Sequence, residues 1–184
     1  KFDSALADFD FSRIYSENLF TGNDRIAQAN QVTAGITSRI LGRDTGEELF
    51  QASLAQRYYF SKQTVNLSGA LENSNANRKS DVLAAMSGKL FNKLWAQSFV
   101  QYNTDSGKLL RSDAAIRWQP AYRKVFNLGY HQNKILAEPS KTAYASAQWP
   151  VPFMSNNLYA VSRLSYDLNN KRLTDAWLGV EYVK

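Results

Sequence analysis

The sequence of 184 residues has no cysteine, one histidine (His131) and four prolines. No disulfide scaffold and no Cys/His zinc site can be built from these residues. No apolar stretch approaches the ~18–20 residues of a membrane-spanning helix. No run of four basic residues exists, which argues against a basic tail or a localisation signal. No P-loop, dinucleotide fingerprint or catalytic constellation is present. Neither an enzymatic activity nor a cofactor is expected. Lys1 opens no signal-peptide pattern, so the chain reads as a processed product or a fragment.

What is present is charge and aromatic surface. The net charge is +6, with ten Tyr, ten Phe and four Trp. Residues 1–29 carry three basic and five acidic side chains, leaving +8 on the remainder. A basic body suits nucleic acid, anionic lipid or a phosphorylated ligand.

The dominant period is two. In residues 30–41, Val32, Ala34, Ile36, Ser38 and Ile40 share one face, and Thr33, Gly35, Thr37 and Arg39 the other. That is a half-polar strand. The pattern recurs at 47–60, 81–91, 94–103, 108–119, 124–133, 141–149, 157–167 and 172–183, which predicts nine strands. A short helix is possible over 11–19, and 64–71 reads as loop rather than a tenth strand. The connections at 104–107 (T-D-S-G) and 168–171 (L-N-N-K) have hairpin-turn compositions. The organisation is one segment, 1–184, with an N-terminal loop at 1–29 and successive hairpins over 30–183.

Away from the strand ends, one parity of every strand carries no charged residue. It includes Leu54, Met86, Val100, Ile116, Leu128, Leu164 and Leu178. Gln56 is its one awkward member, as at a bulge. The other parity carries Arg39, Arg57, Lys89, Arg111, Asp113, Arg117, Arg163, Asp175 and Glu181. In a soluble sandwich or small barrel the apolar face is the core. In an outer-membrane barrel it meets lipid, and the charged face lines a wet lumen. Alternation alone does not separate the two.

Aromatic placement favours the membrane. Trp118, Trp149 and Tyr182 lie at strand ends beside one class of turn, and Phe91 and Trp95 flank another turn of that class. Tyr58, Phe60, Tyr102, Tyr130 and Tyr166 lie at the opposite ends. Rings at both ends with aliphatics between them form the two girdles of a spanning barrel. Ten residues at ~3.3 Å each, tilted ~40°, cover roughly 25 Å, the height of the lipid-facing band. The fold expectation is therefore all-β: an antiparallel, up-and-down transmembrane barrel segment of about nine strands, incomplete because nine is odd. A lipocalin-like or sandwich protein binding a small ligand, and a porin or adhesin barrel, remain as alternatives.

Three stretches carry a family resemblance. F-T-G-N-D-R-I-A-Q-A-N-Q-V-T-A-G-I-T-S-R-I (20–40) resembles the G-x-D-R-I…N-Q…G-x-T-S-R segment of the lipopolysaccharide-assembly family LptD (OstA, Imp). L-A-Q-R-Y-Y-F (54–60) resembles its Q-x-Y-Y-F strand. A-Q-W-P (147–150) with S-Y-D-L-N-N-K-R-L-T-D-A-W-L-G-V-E-Y (165–182) resembles its W-P…Y-D…L-G-x-x-Y region. The resemblance implies part of a large Gram-negative outer-membrane barrel that inserts lipopolysaccharide into the outer leaflet. It implies as partners lipopolysaccharide, outer-membrane lipid, the lipoprotein plug LptE and periplasmic bridge proteins, with no nucleic acid. The family's periplasmic jelly-roll, lateral gate and cysteine pair are not visible in these residues. The long connections and residues 1–29 would be extracellular, and the turns at 42–46, 92–93, 120–123 and 150–156 periplasmic.

The candidate site is the lumen-facing set Arg39, Arg57, Lys89, Arg111, Asp113, Arg117 and Arg163. Arginine forks bind phosphate bidentately, so this face could hold lipopolysaccharide phosphates. The competing reading is a structural ladder of ion pairs, with Asp113 paired to Arg111 or Arg117 and His131 a plain polar residue. The acidic, aromatic N-terminal loop (Phe9, Phe11, Tyr15, Phe20) could fold into the barrel mouth or lie in solvent.

Overall fold

The structure is a computed structural model and describes residues 5–6, 11, 14–15, 20–21, 30–61, 79–135, 139–151 and 157–183. Two short strands, β1 (Ala5–Leu6) and β2 (Phe20–Thr21), pair antiparallel. Nine longer strands follow: β3 (Gln31–Leu41), β4 (Glu48–Tyr59), β5 (Val82–Phe91), β6 (Leu94–Asn103), β7 (Lys108–Ala121), β8 (Lys124–Asn133), β9 (Ser140–Pro150), β10 (Leu158–Asp167) and β11 (Arg172–Tyr182). They form one open sheet in strict sequence order, each strand bonded to the next. This is an incomplete up-and-down barrel with no described helix. The possible helix at 11–19 lies mostly outside the described residues, although Phe11, Ile14 and Tyr15 are in turns. Residues 64–71 lie outside them too.

The connections are built by side chains with a local reason to turn. Asn103 Oδ1 accepts from the backbone N–H groups of Asp105 (3.2 Å) and Ser106 (2.7 Å), closing the β6–β7 hairpin. Asp167 does the same for Asn169 (2.9 Å) and Asn170 (3.1 Å) between β10 and β11. The two-residue turns carry a left-handed residue each, Lys93 at φ 70° and Arg123 at φ 56°, where glycine would be unstrained.

Bulges interrupt the period in the β7–β8 and β10–β11 pairings. One lies in β7 between Trp118 and Ala121, and carries that strand two residues past its expected end. The other separates Ser165↔Asp175 from Tyr166↔Leu173. Beyond it the parity of β11 inverts, so Leu173 shares the row of Tyr166, where strict alternation would oppose them.

Burial is the reverse of a soluble sheet. Val32, Ile36, Leu54, Met86, Ile116, Leu128, Leu164, Leu178 and Val180 are all exposed, and no described layer covers them. The buried polar side chains include Arg57, Gln101, Asn133 and Ser165, on the polar parity. Only Ile14, Ala55, Tyr59 and Leu83 are buried hydrophobics among the described residues. A sheet that hides its polar face and bares its aliphatic one is stable only where a hydrocarbon solvent wets the bare side.

The chain divides into two compact units, each described separately below. The first comprises residues 1–37, 53–84 and 101–108, and the second residues 38–52, 85–100 and 109–184.

Candidate functional site on the polar face

In the first unit the polar face is covered by the chain itself. Arg57, on β4, is wholly buried. Its Nε donates to Thr33 Oγ1 at 3.2 Å and its Nη2 donates to the carbonyl of Ile14. Thr33 Oγ1 donates to the same carbonyl at 3.0 Å. Tyr15 lies against Gly35, where a Cβ would stand 2.2 Å from the tyrosine oxygen. Glycine on β3 thus makes the space, and arginine on β4 supplies the donors, that hold residues 14–15. Residues 14–15 therefore lie on this face, with Ile14 buried and Tyr15 exposed. Beside it the Asp81 carboxylate accepts from Gln101 Nε2 and Asn103 Nδ2, both at 2.7 Å. Gln56, the awkward residue, turns its amide to the Ser80 carbonyl at 3.0 Å.

In the second unit the same parity is open. Its charges are largely paired: Arg39 with Glu48 (3.5 Å), Lys89 with Glu47 (3.5 Å), Arg111 with Asp113 (3.3 Å) and Arg163 with Asp175 (3.6 Å). Asp113 also meets His131 Nδ1, because the two residues are register partners across β7 and β8. Arg117 differs. Its Nη2 donates to Gln119 Oε1 at 3.1 Å, and among the described residues no carboxylate lies within ion-pair distance. Exposed pairs of this kind contribute ~0–1 kcal/mol each, so they mainly hold side chains in place.

Arg117 and Arg163 open into a depression of approximately 850 Å³, lined also by Trp95, Gln119, Asn127 and Tyr144. All six lie on the polar parity. Two were missed as site residues. Trp95 is grouped by position with the turn aromatics, yet its odd number on β6 puts it on the polar face, with Lys89 Nζ 5.5 Å from its ring. Tyr144 lies flat on Gly129, its register partner, where a Cβ would come within 2.2 Å of the ring. The legible signal was an aromatic opposite a glycine on the neighbouring strand. Phe99 likewise faces inward under Arg111, 5.5 Å from ring to guanidinium.

On the apolar face, Trp118 and Trp149 stand 6.0 Å apart at the short-turn end, with Lys124 Nζ 5.5 Å from the Trp149 ring. Tyr182 is at the same end of β11 and exposed. Tyr58, Phe60, Tyr102, Tyr130 and Tyr166 lie at the other strand ends. Tyr58 and Phe60 meet edge to face at 5.4 Å, and Tyr130 Oη donates to Gln132 at 2.8 Å. In the β7–β8 turn, Arg123 packs 5.4 Å from the rings of both Tyr122 and Tyr159 and pairs with Glu181 at 3.3 Å. Its guanidinium is held above its ordinary pKa, chiefly by the hydrogen bond with Tyr122. No group of three metal-binding side chains occurs among the described residues.

Successive antiparallel hairpins, an exposed aliphatic band with aromatic ends and a polar face rich in ion pairs define a membrane β-barrel segment. Comparison with known proteins narrows this class. The family model described as LPS transport system D, LptD, matches residues 1–152. The chain is 39% identical over 185 residues to the LPS-assembly protein LptD of Cupriavidus pinatubonensis and 41% identical over 181 residues to that of Aromatoleum aromaticum. The LptD of Burkholderia pseudomallei is 40% identical over 185 residues. Each comparison covers 98% of this chain, and the chain spans only 22–23% of the length of these relatives. The chain belongs to the LptD family, and its place is the Gram-negative outer membrane.

Proposed function

We propose that this chain is one segment of a translocon barrel that inserts lipopolysaccharide into the outer leaflet, with no enzymatic step of its own. The relatives' name, LPS-assembly protein, supports this reading. The observation that carries it is the depression on the polar face. It joins an arginine without a carboxylate partner among the described residues, Arg117, to Arg163 and to two aromatic rings. A lumen-facing guanidinium not already neutralised is free to attract a sugar phosphate or carboxylate, while the rings of Trp95 and Tyr144 suit a sugar face. The other cations of the set, Arg39, Lys89 and Arg111, are engaged with acids and serve the wall. Arg57 serves the N-terminal segment.

In this reading residues 1–29 form an extracellular loop, 30–183 are successive hairpins of one barrel segment, and the short turns face the periplasm. The girdle rings lie at the two membrane interfaces. The partners are lipopolysaccharide, outer-membrane lipid, the lipoprotein plug LptE and periplasmic bridge proteins. The test is Arg117→Glu in the complete barrel protein, with Arg111→Glu as comparison. Arg117→Glu is expected to slow lipopolysaccharide delivery to the cell surface severalfold with LptE retained. Normal delivery in Arg117→Glu would end the conduit role, and loss of LptE with delivery unchanged would reassign the depression to the plug.

A further inference from the structure

We propose that the apolar face carries a binding site for an anionic glycerophospholipid, its phosphate at Lys124 and one acyl chain in a groove over β6 and β7. The sheet order β5-β6-β7-β8 creates the groove. The two middle strands present small side chains, Ala96, Ser98 and Ala114, beside Ile116 on β7, while the outer two present Met86 and Leu128. The result is an apolar trough of approximately 480 Å³ on a face that meets hydrocarbon. Gly88 extends the floor: a Cβ there would stand 2.7 Å from the Leu49 carbonyl and 2.9 Å from the Phe50 ring, so this strand admits no larger residue. Trough and ring contacts all lie within the second unit.

The head end is set by charge. Lys124 begins β8 on the same parity as Phe126 and Leu128, and is the cation that this parity brings to the short-turn ends of β5 to β10 among the described residues. Its ammonium lies 5.5 Å from the Trp149 ring, and Trp118 stands beside Trp149 at 6.0 Å. Two indoles at the interface depth fix a glycerol–phosphate region, and the snorkelling lysine supplies its counter-charge. From Lys124 to Leu128 is four residues, roughly 13 Å along the strand, and to Tyr130 roughly 20 Å. That spans the depth of one leaflet, about half of the ~30 Å hydrocarbon core. A chain descending from a phosphate at Lys124 therefore reaches the trough. The arrangement selects a lipid with a net negative head. The site rests on the outer-membrane assignment, and only its leaflet, the periplasmic one, rests on the proposed orientation.

The test is native mass spectrometry of the complete barrel protein, released from detergent containing equal phosphatidylglycerol and phosphatidylcholine, with lipid A in a parallel arm. Wild type should retain phosphatidylglycerol about fivefold over phosphatidylcholine, the worth of one lysine at a lipid surface. Lys124→Gln should abolish that preference. Ala114→Leu, which fills the trough, should lower retention of both lipids with the preference kept. Equal retention of the two lipids by wild type, or unchanged behaviour in both variants, would overturn the site. Displacement of phosphatidylglycerol by equimolar lipid A would overturn the glycerophospholipid assignment. None of these readouts depends on lipopolysaccharide delivery, so the site and the conduit stand or fall separately.

Discussion

The polar parity has two characters in this chain. In the first unit Arg57 is buried to zero exposure under residues 14–15. In the second, Arg117 is exposed beside an open depression. Both are arginines within a strand on the charged face, and alternation treats them alike. The difference is what covers them. Gly35 lets a tyrosine approach the backbone, and Thr33 and Arg57 converge on one carbonyl, so that part of the face is dry and structural. Where no described residue lands, the face stays wet and its groups remain available. An arginine's role here is decided by its lid, not by its side of the strand.

The sharpest way to break the comparison is Arg57→Glu. It buries a carboxylate against the Ile14 carbonyl, and should cost about 3–5 kcal/mol in urea unfolding of the complete barrel protein. Arg117→Glu, on the same parity, should change stability by less than about 0.5 kcal/mol. Equal losses for the two variants would mean that cover does not matter. Next, Gly129→Val should displace the Tyr144 ring and cost about 1–3 kcal/mol through overpacking. Asp113→Asn, which removes the ion pairs of Asp113 with Arg111 and His131, should cost no more than about 1 kcal/mol. The smallest expected effect is a gain. Lys171 sits at φ 50° in the β10–β11 turn, and Lys171→Gly should stabilise by about 0.5–1 kcal/mol in the same measurement.

Much of the architecture was readable because strand period and turn chemistry are local. Residues 104–107 and 168–171 announce their hairpins by composition, and the structure puts turns there, closed by Asn103 and Asp167 from the preceding strands. The pairing of Asp113 with Arg111 was one of two legible options, and the register to His131 on β8 shows which acid–base neighbours share a row. Trp95 was misgrouped because proximity to a turn was weighed above parity. Leu173 escaped strict alternation because a bulge costs one residue of phase and leaves no mark in composition.

The residues alone determined that alternating side chains would make hairpins with one aliphatic face and aromatic ends, since a strand's period is a property of its backbone. Only the tertiary structure decided which polar side chains are sealed and which are open. That depends on a segment distant in sequence returning to Gly35 and Arg57, and on cross-strand register bringing Tyr144 onto Gly129. Such contacts are set by pairing and by space, which no single strand encodes.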